Sequence, residues 1–447
     1  MNLVYKVNDK PKFGQLIVFA FQQLLAILAA TIAVPSIIGN GMSQSAALFG
    51  AGVGTIVYLL FTKFKSPVFL GSSFAFLGSM FAAFSGAAAN SVLGYAGLLM
   101  GAAFAGLVYV IIAIIVKIFG VGWVNKLMPA VVIGPTVAII GLSLAGNAIG
   151  DALSGAAVDG STYVMNTRGW VSLVCALVTL FTVIFFSVKG KKMLKLIPFI
   201  LGIVAGYIVA LIFTLIGQST GNADLQVLNF AAFENMKWIP DFSFLKAFEG
   251  FKEVKGEYVA TIAVAYIPVA FVVFAEHIAD HKNLSTIIGT ELLEEPGLHR
   301  TLLGDGIGSI AGAFFGGCPN TTYGESIGCV AITGNASVIT ILATAILAIA
   351  ASFFGPFVTF LSTIPSCVMG GVCITLYGFI AVSGLKMLQP VDLNDNRNLF
   401  TASVILIAGI GGMQLGIGSV TLTKIACALI LGIIVNLLFN RPAKEDK

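Results

Sequence analysis

Apolar runs and short polar breaks alternate along the whole chain. Fourteen runs, near 14–36, 46–62, 67–85, 93–117, 128–147, 170–188, 196–217, 258–279, 304–316, 320–333, 337–359, 366–386, 399–413 and 418–440, are read as membrane-crossing segments. A hydrocarbon core of about 30 Å needs roughly 20 apolar residues per helix, and several of these runs are short for that task. The least hydrophobic stretch, 218–257, parts the runs into seven and seven. Two runs are themselves broken. Run 67–85 carries Pro67 and Gly71-Ser72-Ser73 before Phe74, and run 320–333 follows Pro319 with Asn320-Thr321-Thr322-Tyr323-Gly324. Both openings favour short extended strands ahead of the helix. Non-helical backbone survives at membrane depth only where protein or a water-lined cavity satisfies it. Two half-helices meeting near the midplane would aim free N–H groups at one point, where transporters hold their substrates.

Composition sharpens this into an all-α polytopic membrane protein. The chain is 58% hydrophobic and 10% charged, whereas a soluble domain carries about a quarter charged residues. Its basic start runs directly into more than twenty apolar residues, which predicts a retained first helix rather than a cleaved signal peptide. With both termini in the cytoplasm, eighteen of the 24 lysines and arginines fall inside, Lys126, Lys192, Arg441, Lys444 and Lys447 among them. The net charge of +4 therefore reflects topology and implies no nucleic-acid partner. The six cysteines have no metal-ligand spacing and read as small buried apolar residues, so neither a metal nor another cofactor is expected. Fifty-one glycines point to close helix contacts. PAVVIGPTVAIIGLSLAG at 129–146 also resembles PSCVMGGVCITLYGFIAVSG at 365–384, with Pro129, Val132 and Gly134 matching Pro365, Val368 and Gly370. These runs rank fifth in each half. Since seven is odd, the second copy enters the membrane from the opposite side, as an inverted repeat.

Three acids cannot escape to water: Glu276, Asp305 and Glu325. An intramembrane carboxylate costs on the order of 3 kcal/mol, which makes each a candidate functional group. Bland roles exist: Glu276 could mark the cytoplasmic end of its helix, and Asp305 could cap a short one. His277, His281 and His299 are expected at interfaces or in loops, and Lys424 could snorkel outward. Two carboxylates set against half-helix ends suit a neutral heterocycle, because carboxylates accept from ring N–H groups while amides donate to ring oxygens. An anion would be repelled. The neutral form of an acid costs less to bury, so one of the pair can carry a proton and couple its uptake to transport. A membrane hydrolase is not expected, since no His or Cys constellation or paired-aspartate motif is present. An acid-lined cation channel would use the same carboxylates as a filter.

At LGSSFAF (70–76), AEH (275–277), PGLHR (296–300), PNTTYGE (319–325) and LYG (376–378) the chain resembles the nucleobase:cation symporter-2, or nucleobase-ascorbate transporter, family, and within it the bacterial uracil permeases. The resemblance implies fourteen spans in two inverted repeats. Spans 1–4 (residues 1–120) and 8–11 (258–362) would form a core domain. Spans 5–7 (121–217) and 12–14 (363–447, with a cytoplasmic tail) would form a gate domain, and 218–257 an extracytoplasmic linker. It implies substrate binding by Glu276, Glu325, the amides of Phe74 and Gly324, and Tyr377, with Glu276, Asp280 and Asp305 as candidates for carrying the proton. The expected function is proton-coupled uracil import across the bacterial cytoplasmic membrane. A xanthine or urate permease is the alternative, and the sequence leaves the oligomeric state open, a homodimer included. Three positions depart from the family pattern: Gln22-Gln23 stands where many members have Gln-His, Ser326 replaces an Asn, and Asp280, followed by His281, stands where uracil permeases place a His.

Overall fold

The computed structural model describes residues 3–88, 90–120, 123, 129–191, 193–234, 236–417 and 420–439. Lys126, Lys192, Arg441, Lys444 and Lys447 lie outside the described residues, as do the domain boundary expected at 121, the start of the run at 128 and the tail from 440. Each of the fourteen runs contains a helix. In order these are α1 (Phe13–Ile38), α2 (Gln44–Phe61), α3 (Leu77–Gly86), α4 (Ser91–Phe119), α5 (Ala130–Ser143) with α6 (Ala145–Ala152), α7 (Thr167–Lys189) and α8 (Pro198–Thr220). The linker contributes α9 (Ser243–Gly250). There follow α10 (Gly256–Ile288), α11 (Leu298–Gly316), α12 (Gly324–Thr333), α13 (Val338–Ser352) with α14 (Gly355–Ser362), α15 (Ser366–Met387), α16 (Asn396–Ile410) and α17 (Lys424–Phe439). Among the described residues eight helices are long and apolar enough to cross a membrane, or nine if α13 and α14, bent by 81°, count as one span. Polar residues set several helix starts. The side chains of Ser43, Asn90, Asn166 and Asp395 accept first-turn amides of α2, α4, α7 and α16.

Two helices continue past their apolar runs because buried polar residues face neighbouring helices, and one run is broken instead. The run at 258–279 belongs to a helix that reaches Ile288, the run at 304–316 begins at Leu298, and that at 337–359 is broken between Ser352 and Gly355. The linker is partly structured as well. Its helix α9 packs on α4 and α11, and Phe242 and Phe244 join Phe314, Phe315 and Phe49 in an aromatic cluster.

Packing falls into two groups. In one, α11 lies against α2 and α4, α13 against α1 and α2, and α10 against α3 and α4. In the other, α15 lies against α5, α6 and α7, α8 against α7, and α16 against α5 and α17. The groups meet where α10 touches α17 and α1 touches α8. Glycine sets the closest approaches: a Cβ on Gly54 would lie 2.7 Å from the Gly308 carbonyl oxygen, and one on Gly141 would lie 2.3 Å from that of Tyr377. No side chain fits at either crossing, which is how helices associate without a hydrophobic driving force.

Candidate functional site

Both broken runs open as strands. Strand β1 (Leu70–Ser72) pairs antiparallel with a second strand, 320–322, in the register Leu70↔Thr322, Gly71↔Thr321, Ser72↔Asn320. Side chains hold this ribbon where water cannot. Thr55 Oγ1 accepts from Leu70 N (2.9 Å), Asn320 Nδ2 donates to the Gly50 carbonyl (3.0 Å), and Tyr323 Oη donates to the Ser72 carbonyl (2.8 Å). Gly71 is required here, since a Cβ would sit 2.3 Å from the Tyr323 ring. The chain turns helical immediately after each strand, through a 3-10 turn at Phe74–Phe76 into α3 and at Gly324 into α12. Neither Ser73 nor Tyr323 caps these ends with its side chain. The Phe74 and Gly324 amides and the positive ends of two helix dipoles are therefore not taken up by these cap side chains.

These ends border one small cavity of about 80 Å³, lined by Phe74, Glu276, Gly324 and Glu325, with Val137, Ile140 and Ile380 opposite. Measured as space for the centre of a water-sized sphere, that is several times the roughly 10–15 Å³ one water needs. Gly324 is exposed and Glu325 half-buried, directly after eight buried residues from Gly316 to Tyr323. Of the residues expected to hold substrate, Phe74, Glu276, Gly324 and Glu325 share this cavity; Tyr377 does not line it and instead meets the Phe74 ring edge-on, with centroids 6.3 Å apart.

Asp280 lies one helical turn beyond Glu276 and accepts from Thr322 Oγ1 at 2.7 Å, which ties α10 to the second strand. Asp305 is fully buried within α11, eight residues into the helix, so it is not an N-cap. The histidine expectation is corrected here. His277 and His281 lie inside α10 and are 0% and 1% exposed, because the helix continues past the apolar run and presents both, four residues apart, to α11 and α2. His277 Nδ1 is 2.7 Å from Asp305 Oδ2 and its Nε2 is 2.9 Å from Thr301 Oγ1. His281 Nδ1 donates to the His277 carbonyl (2.8 Å), and its Nε2 meets Tyr58 Oη at 2.7 Å. His299, near the start of α11, is half-buried. Lys424 does not snorkel outward: its ammonium reaches the Ser143 carbonyl at 3.3 Å. All six cysteines are free and buried, and no group of three or more His, Cys, Asp or Glu among the described residues could hold a metal ion.

One contact beside Glu325 was not foreseen from the sequence. Gln23 Nε2 donates to Ser326, at both Oγ and the carbonyl, and Ser326 Oγ accepts from Phe69 N at 3.0 Å. The signal was present, since Gln23 and Ser326 are two of the positions that depart from the family pattern.

A family model described as "Permease family" matches residues 14–417. The chain is 41% identical to the uracil permease of Bacillus caldolyticus over 447 residues, covering 99% of this chain and 96% of that one. It is 38% identical to the uracil permease of Bacillus subtilis (strain 168), with the same coverage, and 34% identical to that of Escherichia coli (strain K12), covering 97% and 93%. Among solved structures, the transmembrane domain of the cyanobacterial bicarbonate transporter BicA aligns with a TM-score of 0.63 at 16% identity, covering 97% of this chain and all of that one. SLC26A9 aligns with a TM-score of 0.66 at 12% identity, covering 96% and 66%. The transporters share the fold and the permeases share the sequence, so this chain belongs to the nucleobase:cation symporter-2 family of permeases and is a transporter rather than an enzyme.

Proposed function

We propose that this protein is a proton-coupled symporter that imports uracil across the bacterial cytoplasmic membrane by alternating access. One observation carries the reading: two strand-initiated half-helices and two glutamates converge on a single cavity of about 80 Å³. Glu276 and Glu325 accept from the ring N–H groups, and the amides of Phe74 and Gly324 donate to the ring carbonyls. Tyr377 supports Phe74 from behind. The small volume suits a single ring better than a purine, and the relatives at 34–41% identity are uracil permeases. Proton traffic runs through Glu276, with Asp280 and Asp305 behind it. Asp305 keeps Oδ1 buried with no hydrogen-bond partner among the described residues, an arrangement that costs least when that acid is neutral.

Fourteen spans in two inverted repeats of seven, with both termini cytoplasmic, complete the reading. The first packing group, with spans 1–4 and 8–11, is the core; the second, with spans 5–7 and 12–14, is the gate. The test is uracil binding to purified protein together with uptake into proteoliposomes under an inward proton gradient. Loss of one charged partner costs about 1.5–3 kcal/mol, so Glu325→Ala weakens uracil binding at least about tenfold, and a protonophore collapses accumulation. Wild-type affinity in the variant sinks the site, and uptake indifferent to the protonophore sinks the coupling.

A further inference from the structure

Two larger cavities lie on the linker side of the site. One of about 480 Å³ is bordered by Asn90, Glu253, Lys255 and Glu257; the next, of about 330 Å³, by Gly78, Phe81, Gln414, Thr423 and Lys424. Gly86 and Thr261 belong to both walls, so the cavities adjoin. A single helix face connects them to the centre. Ala75 lines the central cavity, and Gly78, Ala82 and Ser85 line the next one, a spacing of three to four residues that keeps them in one row. That row of small side chains runs about 16 Å from Ala75 to Gly86 at 1.5 Å per residue. At Gly78 an added Cβ would meet only Ile425, at an ordinary 3.6 Å.

Among the described residues, Lys424 is the single charged side chain lining the inner of the two outer cavities. An ammonium carries three donors, and the Ser143 carbonyl takes one at 3.3 Å. Ser143 follows Val137 and Ile140 along α5, and those two form the far wall of the central cavity. A cation at this depth is costly unless it faces a polar cavity or a partner. Its remaining donors suit a carbonyl oxygen.

We propose that these cavities form the outer access vestibule of the permease, and that Lys424 donates to a ring carbonyl of the base on its way to Glu276 and Glu325. The proposal rests on the nucleobase-permease reading, and two variants test it. Lys424→Gln raises the uptake KM for uracil about tenfold, the loss of one charge-assisted hydrogen bond, while saturating uracil still stabilises the purified protein; Lys424→Arg recovers the KM. Ala82→Cys is modified from outside by a membrane-impermeant thiol reagent, which stops uptake, and uracil slows the modification; the unmutated chain, whose six cysteines are buried, is the control. An unchanged KM in Lys424→Gln, or an Ala82→Cys that the external reagent never reaches, overturns the vestibule. Failure of uracil to bind the unmutated protein overturns the substrate reading instead.

Discussion

Ser326 is a hub built from one hydroxyl and one carbonyl. Its Oγ accepts from Phe69 N, at the start of the strand ribbon, and from the Gln23 amide on α1, which also reaches its carbonyl. All this happens next to Glu325, with Ser326 0% and Gln23 3% exposed. Ser326→Ala strands the buried Phe69 amide and leaves Gln23 only its longer bond to the carbonyl at position 326, at about 1–3 kcal/mol, enough to let Glu325 drift and weaken uracil binding severalfold or more. Gln23 and Ser326 stand where the family pattern has His and Asn. Because the two side chains are hydrogen-bonded, a double-mutant cycle should find them coupled: Gln23→His and Ser326→Asn each weaken binding, while the pair recovers most of the loss. Simple addition of the two losses would mean the positions act independently. At this scale the acids were legible, because a carboxylate inside an apolar run has few bland explanations. The histidines were not. AEHIADH reads as a polar helix end, and only the packing of α10 on α11 and α2 reveals that its i, i+4 histidines serve Asp305 and Tyr58.

The half-helix α12 has ten residues and carries Glu325 in its first turn. A helix this short is marginal by itself, so its ends must be held. The strand ribbon holds one end, and the N-terminal segment holds the other. Val4 N and Tyr5 N donate to the Gly334 carbonyl, Ala336 N to that of Tyr5 and Val338 N to that of Val7, while Ser337 Oγ donates to the Asp9 carbonyl. Each such bond contributes about 1 kcal/mol net, and ordering each strap residue costs about 1–2 kcal/mol. Hydrogen bonds alone therefore do not hold the segment, and side-chain packing must add to them; Tyr5 supplies an edge-on contact with Phe19 at 6.0 Å and a bond to Gln15. Removing residues 1–9 should lower the melting temperature by only a few degrees yet weaken uracil binding, because the end of α12 loses its anchor. Unchanged affinity in a ligand-dependent thermal-shift experiment would show that the ribbon suffices. Hydropathy located the helices well and their ends poorly, since it registers apolar composition and ignores buried polar faces. The strap left no trace in it, being polar and irregular.

For the whole molecule, the inverted-repeat proposal gains support from residues that touch their own counterparts. Matching Pro129 with Pro365 puts Gly141 on Tyr377, and a Cβ on Gly141 would meet the Tyr377 carbonyl. A second likeness escaped the sequence pass: LFGAGVGTI at 48–56 and LLGDGIGSI at 302–310 match at every glycine of the first motif, which puts Gly54 on Gly308, the pair at the α2–α11 crossing. In the ribbon Gly71 faces Thr321, and each strand centre lies three residues before its half-helix. Self-contacts of this kind are expected along a pseudo-two-fold axis, and they fall within each packing group rather than between groups. On the proposed alternating-access reading, each group would move as a unit against the other across the boundary between them. Ile197, just before α8 in the second packing group, packs against Ala26 and Cys329 of the first, so Ile197→Cys beside the native Cys329 offers a bridge across that boundary. With the other native cysteines replaced, joining the two thiols should leave uracil binding in detergent intact and abolish transport, and reduction should restore it. Transport that persists in the bridged protein would mean the two groups do not move against each other, and alternating access would need a different hinge.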